Sequence, residues 1–433
     1  MKIKISSQVL AALTWVGALI VLVPESAAQT DVQTGVWTLE ASVQRALEAA
    51  PELRAADAEI AVREGELKQA DSWPNPTIGL SASNKLGIED GRSAADLTQL
   101  VFSQPLPMRR LARQRTMAEA NLAVASANRG SRRLLLEREV ARVFHAVQLS
   151  TSRRALARER LKLVTGFLKQ NRRGAGDPLV RFLTPLERRR LAILNEDAQQ
   201  AVLLAERDHD KALIEFRAFL KLPVNVPVEL APLIAPAMPS GMGALAQSLE
   251  NHPVLVAAKQ EAEAARAGIA VADSQRFTDP ALNLFHERDY LNGARRTVTG
   301  IGVSIQIPLW NSNKGGMDKA KAETMGAEAR FAAASRDAHI RLEQSHLQLV
   351  RLLAQEERLR INLLEPAREV FRLTRRGFTA GELNVLTLMD ASNTYFDANS
   401  RYLDLLQESE LAAADLRLAS GASLLNSSLE AQP

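Results

Sequence analysis

Between Val298 and Ile307, apolar and small or polar residues alternate: Ile301, Val303, Ile305 and Ile307 are interleaved with Gly300, Gly302, Ser304 and Gln306. A period of two predicts a strand with one apolar face. Less regular strand-like runs occupy Thr77–Asn84, Leu97–Gln104 and Ala281–Glu287, and polar loops at 85–96 and 288–296 join the runs in pairs. Elsewhere the apolar period is helical. It predicts helices over 38–72, 183–221, 242–274 and 384–420, and two much longer ones over 109–171 and 314–376. A pattern of about 63 residues would span roughly 95 Å as a helix. Apolar residues recur every seventh position at Val140, Val147, Leu161 and Leu168, interrupted by Arg154, and at Leu342, Leu349, Leu363 and Val370, interrupted by Glu356. That spacing indicates coiled-coil-like packing. The first long segment has no proline and the second has only Pro366.

The pattern occurs twice, at an offset of about 203 residues, far beyond any solenoid period. Pro51-Glu52-Leu53 returns as Pro253-Val254-Leu255, Asn75-Pro76 as Asp279-Pro280, Gln104-Pro105-Leu106 as Ile307-Pro308-Leu309, and Arg172-Arg173-Gly174 as Arg375-Arg376-Gly377. Between the copies, Leu222–Ser240 holds prolines 223, 227, 232, 236 and 239, so it is expected to be neither helix nor central strand. The expected organisation is a signal peptide (1–28), a first repeat (29–221), a proline-rich linker or equatorial segment (222–241), a second repeat (242–420) and a C-terminal tail (421–433).

At the start of the chain, Lys2 and Lys4 precede the uncharged run Val9–Val23, which Pro24 ends. The run is short for a membrane span. Ser26-Ala27-Ala28 supplies small residues for signal-peptidase cleavage after Ala28. A membrane anchor is the other reading of this segment. The mature chain has no other apolar run of 18 or more residues, so any entry into a membrane would be as strands. Strands of 8–10 residues suit a transmembrane β-strand, but four cannot close a barrel, and an open edge in lipid leaves backbone groups unsatisfied. These strands form soluble hairpins, or several chains pool them. Three chains would supply twelve.

The 433 residues contain no cysteine, which removes disulfides, thiolate metal sites and cysteine nucleophiles. With 54 basic and 50 acidic side chains the net charge is +4, which argues against a surface built throughout for nucleic acid. Locally, 109–173 is strongly basic, whereas 38–72 and 384–420 are acidic. Basic long helices packing on acidic shorter ones account for this, and no nucleic-acid partner is expected. No phosphate loop, GxSxG or HExxH motif occurs. His339, Glu343 and His346 could share one helix face, and two histidines with a carboxylate are competent zinc ligands. That spacing is common by chance in a charged helix, so a solvated or packed face is expected. His145, His209, His252 and His286 are isolated. No catalytic residue, metal ligand or cofactor is expected.

Several junctions carry a family resemblance: Trp73-Pro74-Asn75-Pro76, Thr184-Pro185-Leu186-Glu187, Gln306-Ile307-Pro308-Leu309-Trp310-Asn311, and Phe378-x-x-Gly381 with Leu388-Met389-Asp390-Ala391. In their order and spacing the chain resembles the TolC family of outer-membrane efflux channels over nearly its whole mature length. The Pro-Leu-Trp-Asn exit and the Thr-Pro-Leu-Glu segment are more similar to the heavy-metal cation-efflux branch. The chain departs from many relatives in lacking a lipidated cysteine, and its first turn, Gly174 to Thr184, looks lengthened.

The resemblance implies a mainly α fold with a small β part, built from duplicated helix–hairpin–long helix–helix halves. It implies a homotrimer whose α-helical barrel, in the periplasm, is capped by a twelve-stranded transmembrane β-barrel with four strands from each chain, in outer-membrane lipid. A periplasmic adaptor and an inner-membrane pump of the resistance–nodulation–division type would dock on the tips, formed by the turns at Gly174–Gly176 and Gly377–Gly381. Asp390 matches the position of an acidic residue near the tunnel constriction. Other members carry a second acid three residues earlier, where this chain has Thr387. Asp397 and Asp404 continue the same seven-residue stripe and are expected to be solvated or paired with arginines of a long helix. The implied function is a passive exit duct for heavy-metal cations; the alternatives are a channel for drug efflux or type I protein secretion, and a periplasmic coiled-coil scaffold.

Overall fold

The computed structural model describes residues 36–83, 97–173, 184–291 and 294–425. Ala28, the first glycine turn with Gly174 and Gly176, the loop 85–96 and residues 426–433 lie outside the described residues.

In chain order the elements are α1 (Leu39–Ala49), α2 (Pro51–Ala70), β1 (Thr77–Ser83), β2 (Leu97–Pro105), α3 (Arg110–Arg173), α4 (Pro185–Phe219), α5 (Met242–Ser248), a 3₁₀ turn (Leu249–Asn251), α6 (Pro253–Ser274), β3 (Ala281–Leu291), β4 (Ala294–Ser304), α7 (Lys314–Leu359), a π-helical turn (Arg360–Leu364), α8 (Glu365–Thr379) and α9 (Val385–Ser420). The architecture is mostly helical with one small antiparallel sheet.

Prolines divide the helices at matching places. Ala50 and His252 are extended, and Pro51 and Pro253 occupy the first turn of the helix that follows. Proline suits that position because its missing N–H would be unpaired there anyway. Each expected opening helix is therefore two helices. Pro366 acts inside the second long pattern: it cannot donate to the carbonyl four residues back, and a wider π turn precedes it. The expected helix over 314–376 is thus α7 and α8 around that turn, whereas α3, free of proline, runs unbroken for 64 residues. Pro185 again opens a helix, and Thr184 and Glu187 form a reciprocal capping box: Glu187 N donates to Thr184 Oγ1 at 3.2 Å and Thr184 N donates to Glu187 Oε2 at 2.6 Å.

The sheet is a meander in the order β1-β2-β3-β4. One row of register partners runs Ile78, Phe102, Leu284, Ile301 across all four strands. β3 and β4 reach further than expected, because Leu291 pairs with Ala294. Most of the expected loop 288–296 is strand, and only Asn292-Gly293 joins the two. β4 ends at Ser304, so Ile305 and Ile307 lie beyond it.

The long α3 packs against α2 and α6 along its first part and against α4 and α9 along the rest; α7 packs on α6 and α9, and α8 on α9. The first two positions of each seven-residue series, Val140 and Val147, and Leu342 and Leu349, are buried. Val370, the last of the second series, is 52% exposed. Where the proline-rich segment passes the helices, Trp37, Val143, Phe144, Val147, Phe216 and Leu220 form one core cluster. That segment is pinned rather than loose: Trp37 N donates to Glu229 O at 2.7 Å, and Gln148 Nε2 donates to Ala231 O at 2.8 Å.

His145 lies buried beside this junction, with Nδ1 2.8 Å from Gln148 Oε1 and Nε2 3.7 Å from Glu410 Oε2 on α9. Burial lowers the His145 pKa from 6.5 to about 4; Gln148 pulls upward and the charge of Arg417 downward. Burial raises Glu410 from 4.5 to about 7, opposed by Arg417. Between pH 4 and 6.5 the unfolded chain binds a His145 proton that the folded chain lacks, so this group makes stability rise with pH. Between pH 4.5 and 7 the folded chain keeps a Glu410 proton that the unfolded chain has lost, so this group makes stability fall. The two slopes oppose each other. Glu410→Gln should expose the histidine slope, a rise of about 3 kcal/mol across the histidine window, while the parent stays nearly flat. Denaturant unfolding at stepped pH checks this, and parallel curves for the two proteins would contradict it.

Candidate functional site

The sheet has two chemically distinct faces. On one lie Ile78 and Leu80 of β1, Leu100 and Phe102 of β2, Leu282 and Leu284 of β3, and Ile301 and Val303 of β4, aligned by register. Strand alternation puts Gly79, Ser81, Gln99, Ser103, Asn283, Glu287, Gly302 and Ser304 on the other, a mainly polar face crossed by one apolar row, Val101 and Phe285. The polar face is internally bonded: Gln99 Nε2 donates to Glu287 Oε2 at 3.3 Å, and Asn283 Nδ2 donates to Ser304 Oγ at 3.1 Å. The apolar face is uncovered, with Ile78 at 73%, Leu80 at 75%, Ile301 at 68% and Val303 at 64% exposure. In water this arrangement is unfavourable, while in a bilayer it is the expected outer surface of a strand barrel. Sequence reading oriented only β4. The parity of residues 78, 80, 100, 102, 282 and 284 carried the same signal but was masked by short runs and by Val101 and Phe285, apolar residues of the opposite face that break the alternation of β2 and β3. Among the described residues no helix is long and apolar enough to cross a membrane.

At the other end of the helices, the turn between α8 and α9 holds Gly377 and Gly381. Gly381 has a φ of +79°, the left-handed region that other residues adopt with strain. Gly377 lies against Leu383, whose Cδ1 would be 2.7 Å from any added Cβ. Gly377 O accepts from Glu382 N at 2.9 Å. Asn384 caps α9, its Oδ1 accepting from Thr387 N at 2.9 Å and from Thr387 Oγ1 at 3.0 Å. Thr387 is thus engaged in the cap, with no acid at its position.

Below the cap, Val385, Leu388, Ala391, Tyr395 and Phe396 are buried, and the last four pack with Phe371 of α8. Tyr395 and Phe371 stack with ring centroids 5.1 Å apart. Asp390, Asp397 and Asp404 stand exposed on the opposite side of α9. Asp404 pairs with Arg153 of α3. Asp397 lines a groove of about 570 Å³ between α3, α4 and α9, together with Arg153, Arg160 and Lys211. Asp390 lies outside that groove, and its carboxylate has no ion-pair partner among the described residues.

The basic excess of α3 is taken up by its neighbours. Arg132 pairs with Glu59 of α2 at 3.0 Å, Arg113 with Asp273 of α6 at 2.9 Å, Arg142 with Glu215 and Arg158 with Glu206 of α4 at 2.6 Å, and Arg138 with Asp415 of α9 at 2.8 Å. His339 and Glu343 are exposed, and His339 Nδ1 lies 2.8 Å from its own helix's Ser335 O. Among the described residues no group of three or more histidine or carboxylate side chains is placed to hold a metal ion.

Comparison with known proteins decides the family. The model of the outer membrane efflux protein family matches residues 42–220 and again 244–422. The chain belongs to that family. The efflux protein therefore resides in the outer membrane and belongs with channels, not enzymes. It is 27% identical over 394 residues to the cobalt-zinc-cadmium resistance protein CzcC of Cupriavidus metallidurans, covering 88% of this chain and 89% of that one. Its fold matches that of CusC with a TM-score of 0.71 at 18% identity, over 89% of this chain and 92% of the other. It matches the open-state MtrE channel of Neisseria gonorrhoeae with 0.70 at 20% identity, over 89% of each chain. VceC of Vibrio cholerae gives 0.69 at 15% identity, over 89% and 96%.

Proposed function

We propose that this efflux protein is the exit duct of a tripartite system for heavy-metal cations, passing them from an inner-membrane proton-driven pump and a periplasmic adaptor to the outside. The observation that carries the substrate class is the similarity to a cobalt-zinc-cadmium resistance protein along almost the whole of both chains. The duct reading is supported by open edges. β1 and β4 each have one unpaired side, and an unpaired edge cannot persist in lipid. Large apolar side chains are also exposed on helices at the margins of the packed layer, including Ile193 and Ile214 of α4 and Leu373 of α8. Three copies joined β4 to β1 would close a twelve-stranded barrel and cover these helices. Deleting the gene should lower survival in cobalt, zinc or cadmium and leave tolerance to organic toxicants unchanged. The reverse pattern would assign the duct to drug efflux.

In this reading the turn around Gly377–Gly381 forms part of the periplasmic tip, with the turn at Gly174–Gly176 as its counterpart, and the adaptor docks there. Three copies of Asp390 would ring a narrow pore, where weak screening strengthens a field that favours cations. With Thr387 in place of a second acid, the ring carries one charge per chain. Asp390→Asn should reduce cation selectivity and blockade by multivalent cations in single-channel recordings while barrel insertion stays normal. Unchanged selectivity would put Asp390 on the outer side of the helices.

A further inference from the structure

The apolar face of the sheet does not stay apolar along its length. From the helix end outward, β3 presents Leu282, Leu284, His286 and Arg288 on this face, and β4 presents Val303, Ile301, Thr299, Thr297 and Arg295. Both carboxylates of the described sheet, Glu287 and Asp289, fall on the opposite face, where Asp289 is register partner to Arg296. The outward face therefore carries three basic side chains and no acid. His286, Arg288 and Arg295 are exposed. His286 Nδ1 lies 2.9 Å from Thr299 Oγ1, which ties the two strands together within the patch.

Position gives this patch its meaning. Arg288 is four residues beyond Leu284, which is about 13 Å along a strand and about 10 Å in height at a tilt near 40°. The helices leave from the opposite end of the strands, so the basic patch is on the outer side of the apolar band. That is the depth of lipid headgroups in the external leaflet. A guanidinium group fits a phosphate through two parallel N–H···O bonds, and near the membrane surface such charges act on anionic lipid directly.

We propose that Arg288 and Arg295, with His286 beside them, form a binding surface for the phosphates of a phosphorylated glycolipid in the outer leaflet. This rests on the reading of the sheet as part of a membrane barrel. The lipid would be held at three equivalent places around the trimer, next to the β4 edge where one chain meets the next, and would strengthen that junction.

The test uses the full chain purified in detergent and inserted into vesicles of phosphatidylcholine alone, or with phosphatidylglycerol, diphosphorylated lipid A or its dephosphorylated form. Lipid retained per chain after re-extraction is measured by mass spectrometry, and the temperature of oligomer dissociation by gel. The parent chain should retain diphosphorylated lipid A and dissociate at a higher temperature with it than with the dephosphorylated form. R288Q/R295Q should insert into phosphatidylcholine as the parent does but retain about tenfold less diphosphorylated lipid, and R288K/R295K should keep much of the retention. Undiminished retention by R288Q/R295Q, or equal retention of phosphatidylglycerol, would overturn the assignment while leaving the barrel intact. Failure of the parent chain to insert into any vesicle would overturn the barrel reading and this proposal with it.

Discussion

Replacing Val303 by arginine should cost about 2–4 kcal/mol of folded, membrane-inserted protein. Val303 is 64% exposed on the apolar face and pairs in register with Leu282 of β3. In lipid a guanidinium there has no water and no partner, and no acid stands on that face to receive it. Ser304, one residue on, points to the polar face and its hydroxyl accepts from Asn283 at 3.1 Å. Arginine at Ser304 meets a hydrated interior and should do markedly less harm. Insertion yield and urea titration of vesicle-bound protein compare the two variants. Equal damage at both positions would mean that neither face touches lipid.

The second large effect is expected away from the sheet. Phe216 has 0% exposure, with its ring edge-on to Trp37 at 6.3 Å and tilted against Phe144 at 6.3 Å. It joins α4 to α3 and to the chain entering α1, at the level where the proline-rich segment crosses. Truncation to alanine removes most of a large ring and leaves a cavity that long, stiff helices cannot collapse around, for an expected cost of about 3–5 kcal/mol. Ile214, two residues away but 66% exposed in the single chain, is the control. In detergent-unfolded protein refolded as a monomer, Ile214→Ala should change little. A similar loss at both positions would contradict the packing described.

Much of this arrangement was legible in the amino-acid order because periodicity and punctuation agreed. The unbroken 3.6-residue pattern of α3 and the alternation around Ile301 and Val303 each admit one element type. Other features turn on single residues whose effect depends on a partner. Asn292-Gly293 is a two-residue hairpin signal, yet the charged residues around it read as a loop until the pairing of Leu291 with Ala294 made them strand. Pro366 signals a disturbance, but whether a helix kinks, ends or widens into a π turn depends on packing against α9. Along α9, spacing places Asp390, Asp397 and Asp404 on one stripe without telling them apart. Their neighbours do: Arg153 takes Asp404, the groove beside Arg160 and Lys211 holds Asp397, and Asp390 is left exposed with no ion pair among the described residues. The basic patch at Arg288 and Arg295 was invisible for a related reason, since it exists only once the register of β3 on β4 separates the acids from the bases.

The central claim is that chains of this sequence complete one another in the outer membrane. The most direct measurement is the oligomeric mass of the protein extracted from purified outer membranes, read on unheated and heated gels after brief crosslinking. A trimer that converts to monomer only on heating is the predicted result. A monomer in the soluble periplasmic fraction would contradict the account, leaving the four strands and their uncovered apolar face without a role.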